Sequence, residues 1–276
     1  IAIFALACMS LFLMMGPGGM VSFGHAAFFG GGAYAAALLV HYASSPMELA
    51  ILLAPLCMGL LALVIGWFCV RLSGVYLAML TLAFAQICWS IVFQWSGFTG
   101  GDDGILGIWP SKWASNEVVF YYLTIVISIG GILILRYLLF TPFGYTMRAC
   151  RDSHLRADSI GINVKRQQWF SFAVAGVFAG LAGGIYVFSK GSVFPTEMSI
   201  SRSFDLLLSV LLGGIHSLSG PVTGATAFIW LEDKISRVHF WRLILGSIYI
   251  FLVMAFPQGI AGYFSKRFEG LFSGQK

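Results

Sequence analysis

The sequence predicts an all-α membrane protein, a polytopic bundle of about eight transmembrane helices or half-helices. Two observations lead to this prediction. Of the 276 residues, 59% are hydrophobic and only 10% are charged, whereas a soluble domain has about 25% charged residues. The apolar residues also fall into several runs close to the roughly 20 residues that cross a bilayer as a helix. We therefore treat residues 1–276 as a single transmembrane domain.

The helices of the first half are defined by apolar runs and by the glycine, proline and charged residues that end them. An early run ends at Gly16–Gly19, and a helix rich in small residues follows. The predicted helices are Ile1–Met15, Ala26–Val40, Leu49–Val70, Val75–Trp95 and Val118–Leu139. The polar segment Ser96–Glu117 separates the last two. Its motif Thr99–Gly104, TGGDDG, lacks EF-hand spacing and the terminal Glu, so we expect a flexible loop rather than a metal site.

The second half begins with one full span, Trp169–Phe188, and continues through the polar segment Ser189–Ser203 into shorter helices. The predicted short helices are Phe204–Ile215, Val222–Leu231 and Leu243–Phe256. Glycine and proline thus break helices in both halves, in GPGGMVSFGH and in GGIHSLSGP. Transporters place a substrate path at such breaks, but helix ends that are merely rich in glycine explain them equally well.

Orientation follows from the basic loops, because Lys and Arg collect on the cytoplasmic side. Arg71, the central polar stretch and the Lys266–Arg267 tail are therefore expected inside, and the Asp102–Asp103 loop outside. The net charge of +5 is assigned to topology and not to nucleic-acid binding. The helices alternate consistently only if residues 216–221 return to the inner side. The same alternation puts Ile1 outside, which predicts one further helix before it.

The longest basic stretch is Thr141–Gln168, which carries five of the sixteen Lys and Arg residues. Pro142 and Gly144 end the preceding helix. Met147–Ser159 then reads as one short polar helix, with Gly161 as its terminator. On composition, a surface for a cytoplasmic partner and a solvated loop that only fixes topology remain equally open.

Small and polar residues inside the spans suggest further roles. Gly176, Gly180 and Gly184 share one helix face, which favours close packing inside the bundle over a dimer contact. Gln86 lies in the middle of a span, where lining a pore and bonding a neighbouring helix are both possible. We place no acid or base near the centre of a predicted span, which argues against a proton-driven pump.

Motifs of catalysis are missing from the sequence. It contains no P-loop, HExxH or GxSxG motif, so we expect neither ATP binding on this chain nor enzymatic activity. The five cysteines have no paired spacing and are expected to be free thiols, without a disulfide or a zinc site. They are Cys8, Cys57, Cys69, Cys88 and Cys150.

The order of these segments resembles the permease subunits of branched-chain amino acid ABC importers, the LivH/LivM type, and more closely the LivM side. Seven segments spread from one end of the chain to the other carry the resemblance. They are Val21–Tyr34, Ser73–Ile87, Thr99–Ile105, Phe143–Val164, Phe172–Tyr186, Leu211–Ala225 and Phe256–Gly262. The family usually has one more N-terminal helix, which agrees with the alternation argument.

The resemblance implies that the transporter consists of several different subunits. Two permease subunits would form the path, here as a heterodimer with a LivH-like subunit, and a periplasmic solute-binding protein would deliver the solute. Separate ATPase subunits would bind ATP and Mg, so this chain would hold no cofactor. The helix within 141–168 would be the coupling helix that docks on an ATPase. The residues expected to make that contact are Arg148, Arg151, Asp152, Leu155 and Asp158.

The expected cargo is a branched-chain amino acid, another amino acid, an amide or urea, carried across the bacterial inner membrane. Candidates for the translocation path are Gln86 together with His25 and Ser217 from the two interrupted segments. Membrane lipid is the remaining expected partner. The alternative is a stand-alone secondary transporter or channel for small polar solutes, and an integral membrane enzyme is a weaker one.

Overall fold

A computed structural model describes residues 1–215 and 217–236, together with residues 243, 246, 247, 259 and 262. Most of the predicted helix Leu243–Phe256 lies outside the described residues, as do His216 and the Lys266–Arg267 tail.

The all-α prediction is confirmed, and five of the described helices are long and apolar enough to cross a membrane. These are α2 (His25–Ala43), α3 (Met47–Cys69), α4 (Val75–Gln94), α6 (Glu117–Leu139) and α9 (Val164–Lys190). The shorter helices are α1 (Ala2–Met15), α5 (Ser96–Thr99), α7 (Pro142–Asp152), α8 (His154–Ser159), α10 (Ile200–Gly213) and α11 (Gly220–Ile235). Three-residue and four-residue 3₁₀ turns occupy Gly101–Asp103, Lys112–Ala114 and Pro195–Met198.

Helix α9 lies at the centre of the bundle and packs against α1, α2 and α3. It begins five residues earlier than the predicted start at Trp169, because the Asn163 side chain caps it by accepting a hydrogen bond from the Arg166 amide at 2.9 Å. Its glycine face lies against α3: a Cβ built on Gly176 would meet the Ala62 Cβ at 2.3 Å, and one on Gly180 would meet the Met58 Cβ at 2.6 Å. On Gly184 it would meet Ala54 at 3.3 Å. The face predicted for close packing is therefore occupied by a helix of the same chain.

The two ends of the bundle carry different structures. At one end, β1 (Ile105–Leu106) pairs antiparallel with β2 (Ser192–Val193), which the sequence analysis did not foresee. At the same end, the Tyr42 hydroxyl donates to the carbonyl oxygens of Gly97 and Phe98, at 3.2 Å in each case. The other end carries the α3–α4 turn, α7 and α8. The acidic loop and the basic stretch thus lie at opposite ends, as the orientation argument requires.

The expectation of a flexible loop at Thr99–Gly104 is wrong, because this segment is folded. The Thr99 hydroxyl donates to the carbonyl oxygens of Val92 at 2.6 Å and Trp95 at 2.8 Å, which ties the segment to the end of α4. A 3₁₀ turn follows and leads into β1. Within the described residues, no three His, Cys, Asp or Glu side chains are grouped as a metal site would need.

The prediction of a single short helix over Met147–Ser159 is also wrong. The chain forms α7 and α8, which meet at Ser153, where the backbone is extended (φ −162°, ψ 111°). Ser153 starts the second helix by accepting a hydrogen bond from the Arg156 amide at 3.4 Å. Serine stops one helix and caps the next, because its hydroxyl competes for backbone hydrogen bonds.

Candidate functional site

The end of the bundle that carries the basic stretch presents the α7–α8 hairpin, which apolar contacts hold in place. Met147, Cys150 and Ala157 are buried against the rest of the chain. By contrast, Leu155 is 83% exposed. A large apolar side chain this open on an otherwise anchored helix is a candidate contact for another protein.

The five residues expected to contact an ATPase lie on this hairpin, but they do not all face outward. The Arg148 guanidinium donates to the Leu139 carbonyl oxygen at 3.2 Å. The Arg151 guanidinium donates to the Gly16 carbonyl oxygen at 2.9 Å and pairs with Asp152, also at 2.9 Å. Both arginines therefore help to fix the hairpin on its own bundle. Arg148 is half-buried, whereas Arg151, Asp152, Leu155 and Asp158 are exposed.

A groove of about 470 Å³ runs beside the hairpin, between α8, the start of α9 and the α3–α4 turn. Leu155 and Asp158 line one wall, and Arg71 lines the other. The Arg71 guanidinium lies 3.7 Å from the centre of the Trp67 ring, so its position is set by a cation–π contact. Burial also raises the pKa of the neighbouring Cys150 thiol, so this thiol is poorly reactive.

The two interrupted segments meet inside the bundle. A Cβ built on Gly16 would lie 2.8 Å from the Ile215 carbonyl oxygen, so the break after α1 touches the end of α10. Next to it, His25 is fully buried, and its Nε2 lies 2.8 Å from the Ser10 hydroxyl. Ser217 is half-buried and pairs with the Ser219 hydroxyl at 3.0 Å.

The three residues predicted for the translocation path are not brought into one site. His25 and Ser217 lie at the interrupted segments, whereas Gln86 lies on α4 and is half-buried. No hydrogen bond joins any two of them in the described part of the chain.

A group of charged residues lies inside the bundle, although the sequence gives no sign of it there. The segment Ser189–Ser203, which the sequence marks only as polar, folds back between the helices, and Glu197 contacts α2 at Gly30. Gly30 lies about 20 Å before the end of α2 at roughly 1.5 Å per residue. Arg202 pairs with Glu197 at 3.1 Å and approaches Asp205 at 4.0 Å.

Aromatic side chains complete this charged group. The Arg202 guanidinium lies 5.1 Å from the ring centre of Phe4 and 5.8 Å from that of Phe29. The Tyr186 hydroxyl donates to a Glu197 carboxylate oxygen at 2.8 Å. A cavity of about 430 Å³ borders the pair. In the sequence, the spacing of opposite charges around Arg202 is the one pattern that could have indicated this charged group. The same spacing is common in solvated loops.

These features define a multi-pass helical membrane protein with broken helices, an ion pair inside the bundle and an exposed leucine on an anchored hairpin at one end. Comparison with known proteins agrees. The chain belongs to the family described as the branched-chain amino acid transport system permease component, whose model matches residues 1–256.

The similar proteins are named as permease proteins of transport systems. The chain is 25% identical to the high-affinity branched-chain amino acid transport system permease protein LivM of Escherichia coli (strain K12), over 91% of this chain and 66% of that protein. It is 28% identical to the guanosine ABC transporter permease protein NupQ of Bacillus subtilis (strain 168), over 42% of this chain and 36% of that protein. It is also 28% identical to a probable LivH permease of Methanocaldococcus jannaschii, over 54% of this chain and 49% of that protein. No solved structure is significantly similar.

The chain thus spans about two thirds of the length of the LivM proteins, at 66%. The family match and the apolar helices together make it a multi-pass membrane protein of this permease family.

Proposed function

We propose that this chain is a transmembrane permease subunit of an ATP-driven, binding-protein-dependent ABC importer in the bacterial inner membrane. Its cargo would be a branched-chain amino acid or a related small solute. ATP and Mg would bind to separate ATPase subunits, and a periplasmic protein would deliver the solute. The family match supports the class, and the exposed Leu155 on an anchored inner hairpin is the observation that carries the ATPase partner.

The hairpin is built to transmit force and not to move freely. Buried side chains of α7 pack against the bundle, and the Thr141 hydroxyl at its start donates to the Leu138 carbonyl oxygen at 2.6 Å. Gln167 at the start of α9 donates to the Phe143 carbonyl oxygen at 2.9 Å. A displacement of α8 by a docked ATPase would therefore carry α7 and the ends of α6 and α9 with it.

The same displacement would reach the interrupted segments. Arg151 of α7 holds the Gly16 carbonyl oxygen, and Gly16 touches the end of α10 at Ile215. A rigid-body shift at the inner face would thus act on the two broken helices, where the backbone is least restrained by helical hydrogen bonds. This is a physical route for the two-state switching that an ATP-driven transporter requires.

The solute is the less constrained part of the proposal. The named relatives include permeases for guanosine, nucleosides and xylose as well as for branched-chain amino acids. A LivH-type relative supports a second permease subunit and a heterodimer. The alternative, a stand-alone secondary transporter or channel, would be favoured by uptake through the purified chain in the absence of any ATPase.

The coupling role is tested by Leu155→Asp in the assembled transporter. An acid at an exposed position should leave insertion and folding intact but remove the apolar contact with the ATPase. We expect uptake to be lost while ATP hydrolysis continues uncoupled. Arg151→Asp is a less informative variant, because Arg151 also supports the Gly16 turn.

Ile160→Asp is the matched control, because it adds the same charge at a position that is 73% exposed, lies just beyond α8 and does not line the groove. It should retain most of the uptake. Normal uptake with Leu155→Asp would remove the ATPase-coupling assignment. An equal loss in both variants would attribute the effect to the added negative charge at this face and not to Leu155.

A further inference from the structure

One face of α3 is apolar and exposed along nearly the whole length of the helix. A large apolar side chain is exposed at every fourth position, and side chains four residues apart lie on the same side of a helix. We call this face the apolar stripe of α3; it consists of Leu52, Leu56, Leu60, Val64 and Phe68. A continuous apolar face on a helix long enough to cross a membrane suits contact with lipid chains.

The groove beside the α7–α8 hairpin lies at the depth of the lipid headgroups. Helix α3 has 23 residues, which is about 34 Å at roughly 1.5 Å per residue and close to the roughly 30 Å of a hydrocarbon core. Arg71 follows two residues after the end of α3 and lines the groove. Trp67 is exposed in the last turn of α3, as in the aromatic belts at membrane surfaces. A lipid with its chains along the apolar stripe would therefore have its headgroup at the groove.

The charged side chains that line the groove leave a net positive charge. Arg71 and Lys165 contribute two positive charges and Asp158 one negative charge, with His154 counted as neutral. A single phosphodiester carries one negative charge, so it matches the net charge of the groove. The Asp158 carboxylate can accept hydrogen bonds from hydroxyl groups of a headgroup, but it would repel a second phosphate.

The two positively charged walls of the groove are held together by contacts within the chain. The Arg71 guanidinium lies 3.7 Å from the centre of the Trp67 ring, and an arginine stacked on a ring can still bind phosphate oxygens through its N–H groups. The Trp169 indole donates to the Leu63 carbonyl oxygen at 2.7 Å, which ties α9 to α3. Lys165 lies four residues before Trp169 on α9. A ligand between these walls would therefore not have to order them, which favours binding.

We propose that this groove binds the headgroup of an anionic phospholipid with a single phosphodiester, of the phosphatidylglycerol type. Arg71 donates to the phosphate oxygens, Lys165 adds a second positive charge, and the glycerol hydroxyls donate to Asp158. The acyl chains lie along the apolar stripe of α3. The bound lipid links the α3–α4 turn to α8 and α9, so the lipid composition of the membrane acts on the hairpin. The inference does not depend on the solute or on the partner subunits of the proposed function.

The test identifies the lipid that lies at the groove in the full-length protein. The protein is reconstituted in vesicles of phosphatidylcholine that contain phosphatidylglycerol as the minor lipid. A photoreactive benzoylphenylalanine in place of Ser73, which lines the groove, samples the site. The same photoreactive residue in place of Tyr137, which is exposed near the end of α6 on the same side of the membrane, samples the bulk lipid. Mass spectrometry of the cross-linked products gives the ratio of the two lipids at each position.

We expect phosphatidylglycerol to be enriched about fivefold at Ser73 relative to Tyr137, and the double variant Arg71→Ala, Lys165→Ala to lose the enrichment. Arg166→Ala is the matched control and should keep it, because Arg166 is exposed next to Lys165 but does not line the groove. Equal lipid ratios at the two positions, or an equal loss with Arg166→Ala, would overturn the proposal. Cross-links from Ser73 to residues 237–276 or to another subunit, in place of lipid, would overturn it as well.

Discussion

Replacing Gly183 with alanine should separate two central helices of the bundle. A Cβ built on Gly183 of α9 would lie 1.8 Å from the Phe29 carbonyl oxygen and 2.9 Å from the Ala33 amide nitrogen, both on α2. Real Cβ atoms essentially never approach another atom closer than 3.0 Å. Since the obstacle is backbone within a helix, it cannot rotate away as a side chain would. The two helices must therefore move apart by about 1 Å, in a region where packing is dense.

The loss of stability in Gly183→Ala follows from the packing that the separation of α2 and α9 disrupts. Adding a methyl group to a packed core typically costs about 1–3 kcal/mol, and a backbone obstacle puts Gly183→Ala near the upper limit. The neighbouring contact is also glycine against glycine, because a Cβ on Gly32 would meet the Gly180 carbonyl oxygen at 2.3 Å. At roughly 2–4 °C per kcal/mol for a protein of this size, the melting temperature should fall by roughly 5–10 °C.

The assay is thermal unfolding of the detergent-purified chain, followed by the monodisperse fraction that remains after heating. Gly130→Ala is the matched control: Gly130 also lies inside a spanning helix, but a Cβ there meets nothing within 4 Å. Alanine favours a helix over glycine by about 1 kcal/mol, so this control should be neutral or more stable. Equal melting temperatures for Gly183→Ala and wild type would mean that α2 and α9 are not in contact at this depth.

Two further predictions concern charge and sidedness. Arg202→Ala leaves Glu197 unpaired inside the bundle and should destabilise the protein by roughly 3–5 kcal/mol; in thermal unfolding the double variant with Glu197→Gln should recover part of the loss, and no recovery would show that the pair is not the cause. Leu155→Cys should react with an impermeant maleimide in inside-out vesicles but not in intact cells, and labelling of intact cells would reverse the orientation. Cys150 should react slowly in either preparation, and because its thiol pKa is raised, its rate should increase only at higher pH.

Much of the fold could be predicted from composition and apolar runs. The ends of α3, α4 and α6 lie within two residues of their predicted positions. Each of these helices meets water at its ends, so polar residues flank its apolar run. The start of α9 was placed too late. Its first turns are polar and precede the apolar run, so no apolar periodicity marks them as helical. Asn163 caps the helix at this polar beginning.

The charged group around Arg202 could not be predicted, because hydropathy sorts residues by their chemistry and not by their partners. Glu197 and Arg202 have the composition of a solvated loop. They are tolerated inside the bundle because each neutralises the other and because aromatic rings cover the guanidinium. That compensation exists only after α1, α2 and α9 have assembled, so no local pattern contains it.

The orientation of the residues expected to contact an ATPase could not be predicted from the sequence either. The sequence placed five residues on one short basic helix, but the bend at Ser153 divides them between two helices and turns two arginines toward their own chain. Whether an arginine points to a partner or to a backbone carbonyl depends on which free carbonyls the fold leaves within reach. Gly16 and Leu139 supply them here, because both stand where a helix ends.

Polar side chains in the described part of this bundle therefore occur in two settings, which place different demands on the protein. Arg202 has its counter-charges inside the chain, so the stability of the bundle depends on keeping the pair intact. The α7–α8 hairpin has water or a docked protein around its exposed side chains. Substitutions of those side chains should therefore change the contact with a partner more than the stability of the fold.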